Sequence, residues 1–206
     1  MATPATSKNT EEVILEAAKR IFQQKGYAGT RMQEVADAAG INKAMLHYYF
    51  RSKEKLFRMI LTQAMSTVSP MLLSAISSEK DVMGKMEDLV HGYLRILRSQ
   101  PHLPLFIVHE LSQNQGAFIR ENIDRAAHGP AALGFFQQVM DETEAGKIRP
   151  INPVSLMMNV MSMIVFPFIA RPMMQTLSEV TDRDFDQLMN DRAEEIISFV
   201  RAAIRV

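Results

Sequence analysis

The segment from residue 30 to residue 56 constrains the fold most, because it reads as two short helices separated by a glycine turn and followed by the start of a third. Thr30 and Gln33 have the spacing of a capping box, which predicts the start of the first short helix. Gly40 predicts its end, because glycine adopts the left-handed backbone conformation without a steric penalty. Between these signals one apolar face is formed at helical spacing by Met32, Val35, Ala36 and Ala39.

The second short helix has an unusual outward surface. We expect Asn42 to cap this helix, and Leu46 and Phe50 to face the core. The residues left on the outward side are only weakly polar: Lys43, Ala44, Met45, His47 and Tyr48. Such a surface suits a helix that reads the major groove, where apolar groups meet thymine methyls and Tyr or His meets phosphate. The segment therefore predicts a helix-turn-helix over about residues 31–50.

The flanking segments extend this unit to three helices and the start of a fourth. A helix over residues 9–25 is predicted to end at Gly26, and Ser52 is predicted to cap the fourth helix. Lys53 would then lie in the first turn of that helix, where backbone amides and an ammonium group together favour a phosphate. The predicted DNA contacts are Thr30, Arg31, Gln33, Asn42, Lys43, Ala44, Met45, His47, Tyr48, Tyr49 and Lys53.

An ordered series of residues in this region resembles the N-terminal domain of the tetracycline-repressor (TetR) family, over roughly residues 8–68. The resemblance is carried by Ala17-Ala18-Lys19-Arg20-Ile21-Phe22, Lys25-Gly26-Tyr27, Thr30, Val35-Ala36-Asp37-Ala38-Ala39-Gly40-Ile41 and Leu46-His47-Tyr48-Tyr49-Phe50-Arg51-Ser52-Lys53-Glu54-Lys55-Leu56. The family usually has Tyr in place of His47 and often Gly-Thr in place of Ala44-Met45, so the bases read are not carried over. Beyond residue 68 the resemblance implies only an all-helical architecture.

The rest of the chain also reads as helical, so the predicted fold is all-α. Candidate helices cover residues 52–77, 80–99, 102–112, 116–124, 129–146, 153–170 and 184–204, with Asp182 or Asp184 as the cap of the last. We expect a DNA-binding domain over residues 8–68 and an all-helical ligand-binding and dimerisation domain over 69–206. No flexible linker separates them, so the helix that begins near Ser52 is expected to run from one domain into the other.

Charge is distributed unevenly, although the whole chain has no net charge. Residues 1–60 hold ten Lys and Arg against six Asp and Glu, and the remainder holds 13 against 17. A basic N-terminal part fits DNA contact at that end. Scatter of charge over solvated faces would give the same counts. The absence of cysteine excludes disulfides and zinc-thiolate fingers, and agrees with a reducing cytoplasm.

Two C-terminal segments carry more apolar surface than one subunit is expected to cover. The run over residues 154–170 is interrupted by Asn159, two serines and Pro167, and is shorter than the roughly 20 apolar residues of a membrane span. We expect a helix buried against its own chain and a partner. The resemblance implies a four-helix bundle with a second copy, and the predicted interface comprises Met157, Met161, Ile164, Phe185, Leu188, Ile196, Phe199 and Val200. The alternative is an ordinary core within one chain.

The 16 methionines, interleaved with phenylalanines, favour a pocket for an apolar or amphipathic small molecule. Its predicted lining is Met65, Leu72, Tyr93, Leu97, Phe106, Phe135, Val139 and Met140. Polar groups that would orient the ligand are Tyr93, His109, Glu110 and Gln113. The alternative is plain core packing, which uses the same residue types at the same spacing.

The sequence contains no catalytic signature and no metal-ligand spacing among its histidines, so we expect neither an enzyme nor a cofactor. The leading hypothesis is a homodimeric bacterial repressor in the cytoplasm, bound to a palindromic operator on the nucleoid and released by a small apolar effector. A second hypothesis is a helix-turn-helix regulator whose body is a protein-interaction surface. A third is a helical enzyme or lipid carrier.

Overall fold

A computed structural model describes residues 4–112 and 129–206, except for the side chains of residues 4–8, 23, 110 and 111. Within those ranges all regular structure is helical, which confirms the all-α prediction. The helices are α1 (Pro4–Gly29), α2 (Met32–Ala38), α3 (Lys43–Tyr49), α4 (Lys53–Ser77), α5 (Val82–Ser99), α6 (Leu103–Ser112), α7 (Pro130–Glu144), α8 (Pro153–Leu177) and α9 (Asp182–Ile204). The predicted helix over 116–124 lies outside the described residues.

The chain folds as two units, residues 1–66 and 67–206, and α4 contributes residues to both. Pro70 lies inside α4. Because proline has no N–H, the helical bond from residue 70 to the carbonyl of Ser66 is missing at the point where one unit ends and the next begins along the chain. The predicted assignment of DNA binding to residues 8–68 and of ligand binding to 69–206 stays a prediction.

The first unit is built by α1 packing on α2 and α2 packing on α3. Its buried side chains are mainly Ile14, Leu15, Phe22, Val35, Leu46, Phe50, Leu56 and Phe57. Gly26 has a φ of +67° and interrupts α1 where its end was predicted, although one further helical turn follows as far as Gly29. The helix also begins earlier than predicted, at Pro4 rather than at residue 9.

The second unit is organised around α5, which packs against α7, α8 and α9. A buried polar group ties α7 to the first turn of α5. The Glu142 carboxylate accepts from the Val82 N–H at 3.1 Å and from Gln138 Nε2 at 2.8 Å, and Lys85 Nζ donates to Gln138 Oε1. Since both Lys85 and Glu142 are buried, these hydrogen bonds satisfy charges that would otherwise be costly to bury.

Helix α8 extends further than predicted, to Leu177 instead of residue 170, and contains Pro167 and Pro172. The helix continues through Pro172, although a proline inside a helix removes one helical hydrogen bond. At Pro167 the carbonyl left without a helical N–H belongs to Met163, and the Arg192 guanidinium donates to it. The cap of α9 is also a correction, because Thr181 caps this helix and Asp184 is its capping-box partner.

By length and composition alone, α4 and α8 could cross a membrane. In each, one third of the most apolar 18-residue window is buried inside the protein. The same length and composition occur in the core helices of proteins that never enter a membrane, so this observation does not assign a span. On α8 it identifies a helix with one side covered by its own chain and one side open.

Candidate functional site

The turn between α2 and α3 is built by short-range hydrogen bonds around Gly40. This residue has a φ of +68°, as its position after α2 predicted. The Gly40 N–H donates to the Asp37 carbonyl at 3.1 Å, and the Ile41 N–H donates to the Ala36 carbonyl at 3.0 Å. Asn42 Oδ1 then accepts from the Met45 N–H at 2.8 Å, which confirms the predicted cap of α3. The turn fixes the direction in which α3 leaves α2.

Helix α3 has one buried and one exposed side, as predicted. Leu46 and Phe50 are buried in the unit. The opposite side exposes Lys43, Ala44, Met45, His47 and Tyr48. Tyr48 is 82% exposed, which is exceptional for an aromatic side chain without a partner surface. Tyr49 is half-buried, and its ring meets that of Tyr48 edge-on at 5.4 Å between centroids.

His47 lies on this exposed face and is partly positioned by the backbone. Its Nδ1 is 3.3 Å from the carbonyl oxygen of Arg51, which it can contact only as a donor. That arrangement leaves Nε2 as the outward ring atom. Lys43, at the start of α3, and Arg51, just after its end, are both exposed and give the face its positive charge.

Lys53 holds together the segment that precedes α2. Its Nζ donates to the Tyr27 carbonyl at 2.8 Å and to the Thr30 carbonyl at 3.1 Å, and lies 4.4 Å from the Tyr27 ring centroid. We predicted this ammonium as a phosphate contact, and the structure instead places it on two carbonyls of its own chain. The prediction that Ser52 caps α4 is confirmed, because its Oγ accepts from the Lys55 N–H.

The prediction that Thr30 caps α2 and contacts DNA is wrong. The residue is 2% exposed, and its hydroxyl donates to the Gly26 carbonyl at 2.7 Å, so its side chain neither caps α2 nor reaches a DNA surface. The cap position belongs to Arg31, whose N–H donates to the Glu34 carboxylate at 3.3 Å. Gln33, the predicted partner of Thr30, is exposed and donates to Asp37 Oδ1 instead.

Glu34 links α2 back to α1. Its carboxylate lies 2.7 Å from Lys25 Nζ. The hydrogen bond from Lys25, and after it the one from the Arg31 N–H, hold the pKa of Glu34 below its ordinary value of 4.5. The carboxylate is therefore charged at neutral pH and offsets the charge of Lys25.

The predicted effector residues are mostly core. Tyr93, Leu97, Phe106, Phe135 and Val139 are buried, while Met65, Leu72 and His109 are half-buried. Burial raises the pKa of the Tyr93 phenol above 10.0, so this group is neutral at physiological pH. Met140 is exposed and lines an open depression of about 400 Å³ with Pro150 and Ile151. The Glu110 side chain and Gln113 lie outside the described residues.

The interface prediction is wrong for half of its residues, because these are buried in the subunit's own core. Ile164, Phe185, Ile196 and Val200 are all at most 2% exposed. Leu188 and Phe199 are exposed, and Met157 and Met161 are half-buried. The open side of α8 and α9 also presents two residues that the sequence analysis missed, Met158 and Phe166. No signal in the sequence separates them from the buried residues of the same helix, because α8 is apolar around most of its circumference.

The comparisons with known proteins concern both the N-terminal unit and the whole chain. The family model described as "Bacterial regulatory proteins, tetR family" matches residues 14–60. The chain is similar to the HTH-type transcriptional regulator RutR of Escherichia coli strain K12, with 24% identity over 204 residues that cover 95% of this chain and 90% of RutR. It is also similar to the probable HTH-type transcriptional regulator YttP of Bacillus subtilis strain 168, with 26% identity over 84% of this chain and 82% of YttP.

Two solved structures share the fold. One is AibR in complex with isovaleryl coenzyme A and operator DNA, with a TM-score of 0.69 and 21% identity over 92% of this chain and 97% of AibR. The other is the ketosteroid transcriptional regulator KstR2 of Mycobacterium tuberculosis, with a TM-score of 0.72 and 15% identity over 95% of each chain. At these identities the likeness concerns architecture alone.

Proposed function

We propose that the chain is a DNA-binding transcription regulator of the tetR family of bacterial regulatory proteins rather than an enzyme, and that it is a repressor released from a palindromic operator by a small effector. The observation that carries the proposal is the exposed side of α3, with Met45 and Tyr48 open above the buried Leu46. A rigid short helix with apolar and aromatic groups outward fits a major groove better than it fits solvent.

We assign two kinds of contact to this face. We expect Ala44 and Met45 to meet base edges, where apolar groups distinguish thymine by its methyl. We expect phosphate contacts from Lys43, His47, Tyr48 and Tyr49, together with Arg31 and the backbone around Asn42. The intrachain contacts of Lys53 give it a positioning role, since it fixes the turn that precedes α2.

Selection of duplexes from a random library by the full-length protein, followed by affinity measurements against salt concentration, tests the assignment. Met45→Ala is expected to change the preferred bases. Lys43→Ala is expected to weaken all duplexes alike and to reduce the salt slope by about one unit per subunit. Lys147→Ala, the same charge change at an exposed residue outside the N-terminal unit, is the control. Parent-like selection and affinity in both variants would remove α3 as the reading helix.

A palindromic operator requires a second copy of the chain. We assign the contact with this copy to the open side of α8 and α9. Residues 153–170 contain no charged side chain, and Met158 and Phe166 are exposed there. On α9 the exposed apolar residues are Leu188 and Phe199. Exposed apolar surface of this kind marks an interface, and a symmetric dimer places two reading helices about one DNA turn, roughly 34 Å, apart.

We assign the effector to the α5–α7 side of the second unit, around the neutral phenol of Tyr93, where the buried side chains must move apart to admit a ligand. The AibR structure, similar in fold, contains both isovaleryl coenzyme A and operator DNA, which supports a regulator that responds to a small molecule. If the effector prefers the state that does not bind DNA by about 100-fold, saturating effector lowers operator affinity by a comparable factor.

Reciprocity makes that assignment testable. Hydrophobic and amphipathic compounds are screened by thermal shift, and hits are titrated with and without the selected operator. Operator DNA must weaken effector binding by the factor by which the effector weakens DNA binding. If no compound shifts the melting temperature while DNA binding is intact, the second unit is better explained as a protein-interaction surface.

A further inference from the structure

A cavity of about 240 Å³ lies where the end of α5 meets α8 and α9, and none of its lining residues is a predicted effector residue. It is lined by Arg98, Pro101, Phe168, Arg171, Phe185, Asp186, Met189 and Asn190. Phe168, Phe185 and Met189 are buried and form an apolar floor, with the two rings edge to face at 5.7 Å. The volume is below the roughly 300–1,000 Å³ of typical ligand pockets, so it suits only a small molecule.

One of the two arginines at this cavity is already neutralised. Arg171 Nη2 donates to Asp182 Oδ1 at 2.8 Å, and its guanidinium lies 4.5 Å from the Phe185 ring centroid. A second donor, Gln175 Nε2, reaches the same carboxylate oxygen of Asp182 at 2.6 Å. These contacts fix Arg171 as part of the wall and leave it no net charge to offer.

The other two charged groups have no oppositely charged partner among the described residues. Arg98 Nη2 donates to the neutral side-chain oxygen of Asn190. Asp186 precedes Asn190 by one helical turn on α9, so its carboxylate lies on the same side of the helix. The cavity thus presents one cation, Arg98 of α5, and one anion, Asp186 of α9, at the edge of an apolar floor.

We propose that this cavity binds a small zwitterion with an apolar body, of the class of aliphatic α-amino acids. An uncharged apolar ligand would displace water from Arg98 and Asp186 without replacing the hydrogen bonds that this water makes. A carboxylate alone pairs with Arg98 but is repelled by Asp186, and an amine alone has the opposite mismatch. The zwitterion places its carboxylate at Arg98, its ammonium at Asp186 and its side chain on Phe168 and Met189.

The site is distinct from the α3 face and from the residues around Tyr93, and its occupancy is measured without DNA. The proposal therefore does not depend on the repressor assignment. Met189 provides a local signal, since it is buried in the floor of this cavity. Its methyl resonance in full-length protein labelled with [¹³C]methyl-methionine is identified by Met189→Leu.

Three probes of matched shape test the charge pattern: L-leucine, 4-methylpentanoate and 3-methylbutylamine. We expect L-leucine to move the Met189 resonance and to bind at least about tenfold more tightly than either analogue, since each analogue leaves one of the two charged groups of the cavity without a partner. Asp186→Asn is expected to abolish the preference for leucine over 4-methylpentanoate. Arg98→Gln is expected to abolish the preference over 3-methylbutylamine.

Matched controls come from exposed residues on the same helices, Arg95→Gln on α5 and Asp191→Asn on α9, and both are expected to bind leucine like the parent. All four substituted residues are exposed, and unchanged circular dichroism and melting temperature check that the variants are folded. Equal affinity for leucine and 4-methylpentanoate in the parent would overturn the proposal. No movement of the Met189 resonance with any probe at millimolar concentration would overturn it too.

Discussion

The guanidinium of Arg192 donates from Nε and Nη2 to the main-chain carbonyl of Met163, at 3.4 Å and 3.2 Å. Met163 lies four residues before Pro167, which has no N–H to complete the helical bond to that carbonyl. A side chain of α9 therefore supplies the donor that α8 lacks. The contact joins the two helices on which the proposed interface lies.

Arg192→Ala is expected to reduce the free energy of unfolding by about 1–2 kcal/mol, because it leaves the Met163 carbonyl without its charged donor. In a Pro167→Ala background the loss is expected to be smaller, since alanine restores the helical N–H. Urea unfolding at one fixed protein concentration measures all four proteins of the cycle. Strictly additive effects would show that the guanidinium does not compensate for Pro167. Glu195→Gln, which removes only the exposed ion pair of Arg192, is the control.

Lys53→Met is expected to loosen the N-terminal unit by about 1–2 kcal/mol, because two carbonyls lose a charged donor and the Tyr27 ring loses a cation. Amide hydrogen exchange of residues 27–35 reports this directly. Lys55→Met, at an exposed neighbour, is the control. DNA affinity is expected to fall alike for all sequences. Unchanged exchange with weaker DNA binding would return Lys53 to the role of a phosphate contact.

The contacts that the sequence predicted are those that close within a few residues. Local backbone geometry is enough to predict three of them: the hydrogen bond from the Met45 N–H to Asn42, the one from the Lys55 N–H to Ser52, and the turn at Gly40. The role of Lys53 was missed because its carbonyl partner at Tyr27 is 26 residues away. A basic side chain in a first helical turn fits a phosphate and a carbonyl equally well when only spacing is known.

The interface prediction is wrong for four of its eight residues, which are buried in the subunit's own core, and the reason is related. Helix α8 is apolar around most of its circumference, so hydrophobic periodicity does not identify the side that its own chain covers. Ile164 and Phe166 are equally apolar in sequence, yet the first is fully buried and the second is 59% exposed. The packing of α5, α6, α7 and α9 against α8 decides between them.

Acidification is expected to loosen the link between α1 and α2. The pKa of Glu34 is lowered in the folded chain by Lys25, so its stabilising contribution is complete above the ordinary value of 4.5 and disappears as pH falls through the folded pKa. Lys25→Met is expected to raise the pKa of Glu34, measured by ¹³C chemical shift of the carboxyl. Thr181→Ala, which removes the hydrogen bond that lowers the pKa of Asp184, serves as the remote control. A Glu34 titration unchanged by Lys25→Met would contradict the assigned cause.

Phe199→Glu is expected to dissociate the dimer while leaving each subunit folded. Phe199 is 64% exposed in the single chain, so a carboxylate there meets water in the monomer, but in the proposed interface it becomes an unpaired buried charge, which costs several kcal/mol. Sedimentation equilibrium across protein concentrations measures the dissociation constant, and circular dichroism checks the fold. Leu133→Glu, a charge placed at a similarly exposed apolar residue of α7, is expected to leave the dimer intact. A parent-like dissociation constant for Phe199→Glu would move the interface away from this side of α9.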